Sequence, residues 1–329
     1  MIGITNHHGA SWYYQSFLEV AMHAAVITAP DAPPVYRDHP EPVRTVGEGM
    51  VAEVLAAGLH HLTRSRATGS HYTSNNIFPL VPGVDGVVRD EKGDIRYVVL
   101  DDTPLGTFAE RTLIDPRRSV VLPNGVDPVR IAAAMNPAMS SWIALTRRIN
   151  FTAGQRVLVL GATGNAGRMA IQIAKLFGAA QVIAAGRGSA RLTPLSALGA
   201  DETITFDQID RAADVDVVID YVWGDPAAHA MVPMLTARTD RSAPLTWIQI
   251  GSVAGETASI PSAALRSARL DIVGSGIGSV PARDILAELP ALAKAITDGA
   301  IDVQAHAMPL AQVAQAWTTQ TRDRIVLVP

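Results

Sequence analysis

The 329-residue chain contains no cysteine. That excludes disulfides, thiolate zinc centres and cysteine nucleophiles together, and it fits a reducing compartment. There is no long basic run either. Lys and Arg number 27 against 31 Asp and Glu, for a net charge of -4, so no nucleic-acid footprint is expected. No apolar run reaches membrane-spanning length. The opening stretch MIGITNHHGASWYYQSFLEVA lacks a basic start followed by an apolar core, so neither a membrane span nor a secretory signal is expected. These absences together predict a cytoplasmic protein. Internal repeats and low-complexity tracts are missing as well. Met22 offers a second start, where MHAAVITAP opens a strand-like pattern, and residues 1–21 read as an N-terminal extension.

What is present points to two domains, the default at this length. A chain of this size buries most of its apolar surface without covalent staples. The first third carries short strand-like runs, HAAVIT, GMVAEVLAAG and RYVVLDD, separated by Pro, Gly and Asp clusters. From Pro128 the pattern changes. PVRIAAAMNPAMSSWIALTRR is helix-like, with a break expected at Pro137 because the residue before a proline resists helical geometry. Strands and helices then alternate: RVLVLG and the helix from Ala166, AQVIAAG and SARLTPLSALGA, VDVVIDYV and DPAAHAMVPML. LTWIQIG and RLDIVGS read as further buried strands, and ARDILAELPALAKAITDG and RIVLVP as a last helix and strand. Strands apolar on both faces and spaced by helices indicate a parallel sheet covered on both sides.

The most informative stretch is VLVLGATGNAGRMAIQIAKLFGA. Gly161, Gly164 and Gly167 form G-x-x-G-x-x-G between a strand and a helix. Such a turn lets the chain leave the strand tightly, lets the backbone approach a diphosphate, and lets the helix pack close to the sheet. The helix N-terminus offers free N–H groups and partial positive charge to the anion. The end of the next strand selects the dinucleotide. An NAD-binding fold places an acid there for the ribose hydroxyls. Here the strand ends in Gly186-Arg187, with Ser189 and Arg191 nearby and no carboxylate before Asp201. Arginine grips a 2′-phosphate with a planar fork, so NADPH is the expected cofactor.

GATGNAG also occurs in extended short-chain reductases, but there the turn usually opens the protein, and no tyrosine in this chain has a lysine four residues on. From about Met22 onward the sequence instead resembles the medium-chain dehydrogenase/reductase superfamily, specifically its zinc-independent quinone oxidoreductase group. The matching stretches, in order, are LAAGLHHLTRSRATG, PLVPGVDGVV, LGTFAER, MSSWIAL, GQRVLVLGATGNAG, LGADETITF, DVVIDYV and PLAQVAQAW with RIVLVP. The resemblance implies an α/β protein in which a doubly wound parallel (Rossmann) sheet is inserted into a β-rich, partly barrel-like catalytic domain. That places the dinucleotide-binding domain at 125–278 and the catalytic domain at 1–124 plus 279–329. It also implies a cleft between the two, and a homodimer paired through RLDIVGS.

Carried over position by position, the resemblance puts Gly164, Asn165, Ala166 and Gly167 on the phosphates. Gly186 matches the small residue after the second strand, and Arg191 falls where a lysine often meets the 2′-phosphate. Ser140 sits where a threonine commonly meets the nicotinamide amide, and Gly251 and Ser252 border the ring. Phe206 replaces a tyrosine that often touches the 2′-phosphate, His60-His61 and Thr63 replace Asn-Pro and a following Asp, and Asp323-Arg324 stand where Gly-Lys is common. The zinc enzymes of the superfamily use a Cys and a His-Glu pair, where this chain has His60 and Val84-Asp85. About three protein ligands are needed for catalytic zinc, and they cannot be assembled here, so no metal is expected.

Without a Lewis acid, reduction of a simple carbonyl is harder. Hydride addition to a quinone or an electron-poor alkene is easier, because charge spreads onto an oxygen that a few fixed donors stabilise. Tyr72, His60 and Ser140 are the candidate donors. The expected function is NADPH-dependent, metal-independent reduction of small-molecule quinones or α,β-unsaturated carbonyl compounds. The alternatives are an NADPH-binding redox sensor or structural protein without turnover and, less favoured, an alcohol or aldehyde dehydrogenase.

Overall fold

The computed structural model of the protein describes residues 21–30, 32–44, 49–69, 77–100 and 103–329. In the first part, β1 (Ala21–Val26) and β2 (Val35–Pro40) form an antiparallel pair. There follow β3 (Met50–Gly58), the short helix α1 (His61–Ala67), β4 (Asp85–Arg89), β5 (Ile95–Val99), β6 (Arg111–Ile114) and β7 (Ser119–Val121). On β3, Ala52, Val54 and Ala56 are buried while Glu53 between them is exposed, the two-residue period of a strand with one face in a core.

Helix α2 (Pro128–Ile143) starts where the sequence prescribes. The Asp127 carboxylate accepts from Val129 N at 2.9 Å, and Pro128 stands at the first helical position. The expected break at Pro137 does not occur: the helix runs through it, and a π-helical turn over Ala144–Arg148 ends it. A proline inside a helix costs about 3 kcal/mol. Burial of Ile131, Met135, Trp142 and Ile143 along the same helix offsets this, at about 1.5–3 kcal/mol for each large side chain.

The alternating segment forms β8 (Arg156–Leu160), α3 (Asn165–Leu176), β9 (Gln181–Gly186), α4 (Ser189–Leu192), β10 (Glu202–Thr205), β11 (Val217–Asp220), α5 (Gly224–Ala237), β12 (Leu245–Gln249), α6 (Ser262–Ser267) and β13 (Leu270–Gly274). The strands make a six-stranded parallel sheet in the order β10-β9-β8-β11-β12-β13. On β8, Val157 and Val159 enter one core cluster and Leu158 and Leu160 another, so both faces are covered. Strand β13 departs from the expectation of burial. It is the edge of the sheet, with β12 on one side only, and its residues are half-buried or exposed.

The chain ends in α7 (Ala282–Thr297), β14 (Ala305–Pro309), α8 (Val313–Thr318) and β15 (Arg324–Val328). Strand β15 lies parallel to β14 and antiparallel to β3, returning the chain to the first sheet. That sheet has seven strands in the order β14-β15-β3-β4-β5-β7, with β6 also on β3. It is open: among the described residues no pairing joins β14 to β7, so the barrel-like core of the expectation is a sheet that does not close. One core cluster joins Ala56, Val87 and Tyr97 of this sheet to Ile131, Met135 and Trp142 of α2, and to Val157 and Ile219 of the parallel sheet. Helix α2 is thus the shared wall between the two sheets. Among the described residues, no helix is long and apolar enough to cross a membrane.

Candidate active site

The parallel sheet is wound in two directions from its centre. From β8 the chain moves outward to β9 and β10, then returns to β11 beside β8 and continues to β12 and β13. The crevice between the carboxyl ends of β8 and β11 is therefore the switch point, where open α/β sheets bind ligands. Gly161 follows β8 there with φ +80°, a backbone conformation open to glycine. A side-chain carbon on Gly167 would lie 2.4 Å from Gly161 O and 2.6 Å from Ala162 Cα. Glycine is thus what allows α3 to approach the turn this closely.

The first turn of α3 is open. Gly164 is its N-cap, no side chain among the described residues caps it, and the bond from Arg168 N to Gly164 O, 2.9 Å, begins the helical ladder. The N–H groups of Asn165, Ala166 and Gly167 precede that bond, so they are the donors a helix leaves for an anion. An added carbon at Gly164 would meet only Gly161 O, at 3.5 Å. These features fit a diphosphate: a donor cradle, a helix N-terminus, and room for backbone approach.

At the end of β9, Gly186 is buried against Thr163, and Arg187, Ser189 and Arg191 are exposed along the entry to α4. Neither arginine has an ion-pair partner among the described residues. Asp201, the next carboxylate in the sequence, is engaged elsewhere: it accepts from Val182 N at 2.6 Å and pairs with Lys175 at 3.1 Å. The carboxyl end of β9 thus presents two exposed guanidinium groups, and Asp201 is held away from them by Val182 N and Lys175.

Ser140 and Gly251 meet through a residue the sequence reading passed over. Tyr221, directly after β11, is half-buried, and its hydroxyl lies 3.0 Å from Ser140 Oγ. An added carbon on Gly251 would stand 2.8 Å from Tyr221 O. Gly251 N donates to Asp220 O at 3.1 Å, and Ser252 is exposed beside it. Burial pushes the Tyr221 phenol up to about 12, against the opposing effect of hydrogen bonds with Ser140 and Ser141. The residue stood inside the quoted stretch VDVVIDYV, but a tyrosine after a strand has no local signature. Its role depends on where α2 brings Ser140.

His60 is engaged within the protein. It is 3% exposed and caps α1. Its Nδ1 accepts from Thr63 N at 3.4 Å, which leaves the proton on Nε2, and Nε2 donates to Asp85 Oδ1 at 2.6 Å. Both ring nitrogens are used inside the protein. The expectation that His60 donates to a substrate oxygen does not fit this geometry. Asp85 is fully buried and also accepts from the Tyr97 hydroxyl at 2.6 Å. Burial first, then the Asp85 charge, raises the Tyr97 phenol well above its ordinary range. The nearby Arg324 guanidinium is pushed down to about 10 by burial, with Asp85 working in the opposite direction. At the positions that hold zinc in the related enzymes, the Asp85 carboxylate is bonded to His60 and Tyr97, and the described residues contain no group of three or more His, Cys, Asp or Glu arranged to hold an ion. Tyr72 lies outside the described residues.

Comparison with known proteins agrees with this architecture. Residues 166–295 match the zinc-binding dehydrogenase family. A probable NADPH-dependent quinone reductase, tdiC, of Emericella nidulans is 29% identical, over 94% of this chain and 100% of its own length. The chloroplastic NADPH-dependent alkenal/one oxidoreductase of Arabidopsis thaliana is also 29% identical, but over 53% of this chain and 50% of its own. A crystal structure of a probable oxidoreductase from Mycobacterium abscessus superposes with a TM-score of 0.76 at 26% identity, covering 94% of this chain and all of that one. Glycine turn, interrupted first sheet, and relatives matched along nearly the whole length converge: the chain belongs to the medium-chain dehydrogenase/reductase superfamily, in its quinone oxidoreductase-like group.

Proposed function

We propose that this protein is an NADPH-dependent oxidoreductase that reduces quinones or α,β-unsaturated carbonyl compounds by hydride transfer. The observation that carries the reading is the uncapped glycine turn at the switch point, with Arg187 and Arg191 exposed at the neighbouring strand end. The full-length similarity to a quinone reductase and the partial similarity to an alkenal/one oxidoreductase support the acceptor class.

In this reading the N–H groups of Asn165, Ala166 and Gly167 bind the diphosphate. Arg187 and Arg191, with Ser189, hold the 2′-phosphate. Gly186 leaves room for the adenosine ribose, Ser140 orients the nicotinamide, and Gly251 and Ser252 border its ring. NADPH, when bound, supplies the hydride. The protein supplies position, a dry wall along α2, and hydrogen-bond donors toward the oxygen that gains charge. His60 and Asp85 are hydrogen-bonded to each other, and Asp85 also to Tyr97, which supports acceptors that spread charge onto an enolate or hydroquinone oxygen over simple carbonyls.

The division into a catalytic unit at 1–124 plus 279–329 and a nucleotide unit at 125–278 belongs to the same reading, as does a homodimer through the β13 edge. Support for the dimer is the one-sided pairing of β13, one of the two edge strands of the parallel sheet with β10 at the other end. Light scattering coupled to gel filtration tests it: a monomer at micromolar concentration refutes it. For the activity, stopped-flow mixing of protein, NADPH and a panel of quinones and enones is expected to show accelerated NADPH oxidation. Failure with the whole panel, while NADPH still binds, would instead favour a sensor without turnover.

A further inference from the structure

Between the first sheet and α2 the chain crosses a short exposed turn that none of the assignments above uses. Leu122 is buried in the core, and its N–H donates to Ile95 O at 2.8 Å. Val126 packs against the same core cluster, and Asp127 then caps α2 through Val129 N. Pro123, Asn124 and Gly125 bridge these two anchors, and all three are exposed. Gly125 stands at φ +79°, a left-handed value that favours glycine at a turn. A side-chain carbon on it would meet nothing within 4 Å. Among the described residues no hydrogen bond engages the Gly125 N–H or the Asn124 carboxamide.

An asparagine followed by glycine carries its own nucleophile. The Gly125 backbone nitrogen attacks Asn124 Cγ, a five-membered succinimide forms, and the side-chain nitrogen leaves as ammonia. Water then opens the ring. Opening at Cγ gives aspartate. Opening at the main-chain carbonyl carbon gives isoaspartate, in which the chain runs on through Cβ and Cγ. One water enters and one ammonia leaves, with no change of oxidation state. The attack needs an unbonded N–H, a carboxamide without a partner, and no side chain on the following residue, and this turn supplies all of them. The other described asparagines do not. Asn136 precedes Pro137, which has no N–H. Asn150 precedes Phe151, whose side chain crowds the attacking nitrogen. Asn165 lies in the first turn of α3, where helical geometry fixes the nitrogen that follows it.

We propose that Asn124 is a self-modification site of the folded protein, converting to an isoaspartyl residue that lengthens the main chain at the entrance to α2. The extra carbon enters a three-residue bridge whose ends, Leu122 and Val126, are held in the core. The nearest feature that can give way is the Asp127 cap, which follows Val126 directly and is exposed. The ordinary aspartyl product leaves the chain length unchanged, and its charge stands just before a helix N-terminus, where an anion is favoured. Isoaspartate is therefore the product that loosens α2. Its exposed carboxylate is also the feature that a carboxyl-methylating repair enzyme recognises, so an enzyme of that class is the partner this turn fits. The site is independent of the NADPH reading above.

Ageing the folded chain tests this. The wild type is incubated at physiological temperature and mildly alkaline pH beside the free peptide Ser119–Arg130, which is also the tryptic fragment carrying the turn. Mass spectrometry of that fragment is expected to show a gain of one mass unit, at a rate within a few-fold of the free peptide. Purified isoaspartyl methyltransferase is expected to add a methyl group to it. The fragments carrying Asn136, Asn150 and Asn165 stay unchanged. Asn124→Gln, which would have to close a six-membered ring, should gain nothing here. In thermal melts the isoaspartyl form is expected about 1–3 °C below fresh protein, while fresh Asn124→Asp and aged Asn124→Gln melt with the fresh wild type. Conversion of the free peptide without conversion of the folded chain overturns the site, as does a mass gain that the methyltransferase does not recognise. An isoaspartyl form that melts like fresh protein, or an equal loss in aged Asn124→Gln, overturns the effect on α2.

Discussion

Replacing Gly164 and Gly167 separately by alanine distinguishes a turn built for a ligand from one built for packing. At Gly167 the new carbon would lie 2.4 Å from Gly161 O and 2.6 Å from Ala162 Cα. Both are backbone atoms, so α3 must shift by roughly an ångström or the turn must open. Overpacking of this kind costs about 1–3 kcal/mol. At Gly164 the new carbon meets only Gly161 O, at 3.5 Å, and φ is -79°, which alanine adopts freely. Alanine is a poorer N-cap than glycine by a fraction of a kcal/mol, but it restricts the unfolded chain by a similar amount, about 0.4–1 kcal/mol. The net stability change at Gly164 should therefore stay within about 0.5 kcal/mol. Any large effect of Gly164→Ala must then come from a ligand crossing the same space. Urea unfolding gives the first quantity, and NADPH fluorescence titration gives the second. Gly167→Ala should lose stability, and Gly164→Ala should unfold like the wild type while binding NADPH at least about tenfold more weakly, a difference of about 1.4 kcal/mol. If Gly164→Ala binds NADPH normally, the assignment of this turn to the diphosphate is wrong.

The remaining predictions address charge. Arg187→Ala combined with Arg191→Ala should weaken NADPH while sparing NADH, since both guanidiniums are exposed at the end of β9; equal loss for the two cofactors in fluorescence titration refutes the 2′-phosphate contact. Asp85→Ala removes the carboxylate from buried His60 and Tyr97 and leaves buried Arg324 uncompensated. It should cost about 3–5 kcal/mol in urea unfolding, whereas Glu53→Ala, which cuts an exposed 2.6 Å pair with Arg89, should cost under about 1 kcal/mol. At Asp90, burial raises the carboxyl, but the Arg96 guanidinium and the N–H groups of Lys92 and Asp94 outweigh it, and the net shift is downward. A depressed carboxyl contributes stability above its unfolded value that is lost as pH falls through its folded one. Asp90→Asn should therefore be less stable than the wild type at pH 7, with the gap closing below about pH 4; a gap independent of pH refutes the assignment.

The features legible in the sequence are those written locally. Gly161, Gly164 and Gly167 declare the turn by spacing, and the doubly apolar run of β8 declares a sheet covered on both sides. The absence of an acid before Asp201 was readable too, though not that Lys175 and Val182 N engage this carboxylate. Misreadings arose where tertiary packing overrides a local rule. Pro137 is a helix breaker by itself, yet it sits inside a helix buried along its length. RLDIVGS is apolar enough for a central strand, but its position at the sheet edge is a property of strand order. His60 was a plausible donor by type, and only the fold shows that Thr63 N and Asp85 use both of its nitrogens. Tyr221 acquires meaning only when a helix more than seventy residues earlier places Ser140 beside it, as the 81-residue separation of the pair makes plain.

The pairing of β3 with β15 has a consequence for how the chain is made. Gly58 must find Val326, and the ribosome delivers one long before the other. The parallel sheet between them can finish during synthesis, while the earlier strands wait with an unpartnered edge. Ile325, Val326 and Leu327, each at most 4% exposed, are then the closing stitch. A ribosome stalled just before them should display a nucleotide fold already resistant to protease, tethered to a first sheet that is still cleavable.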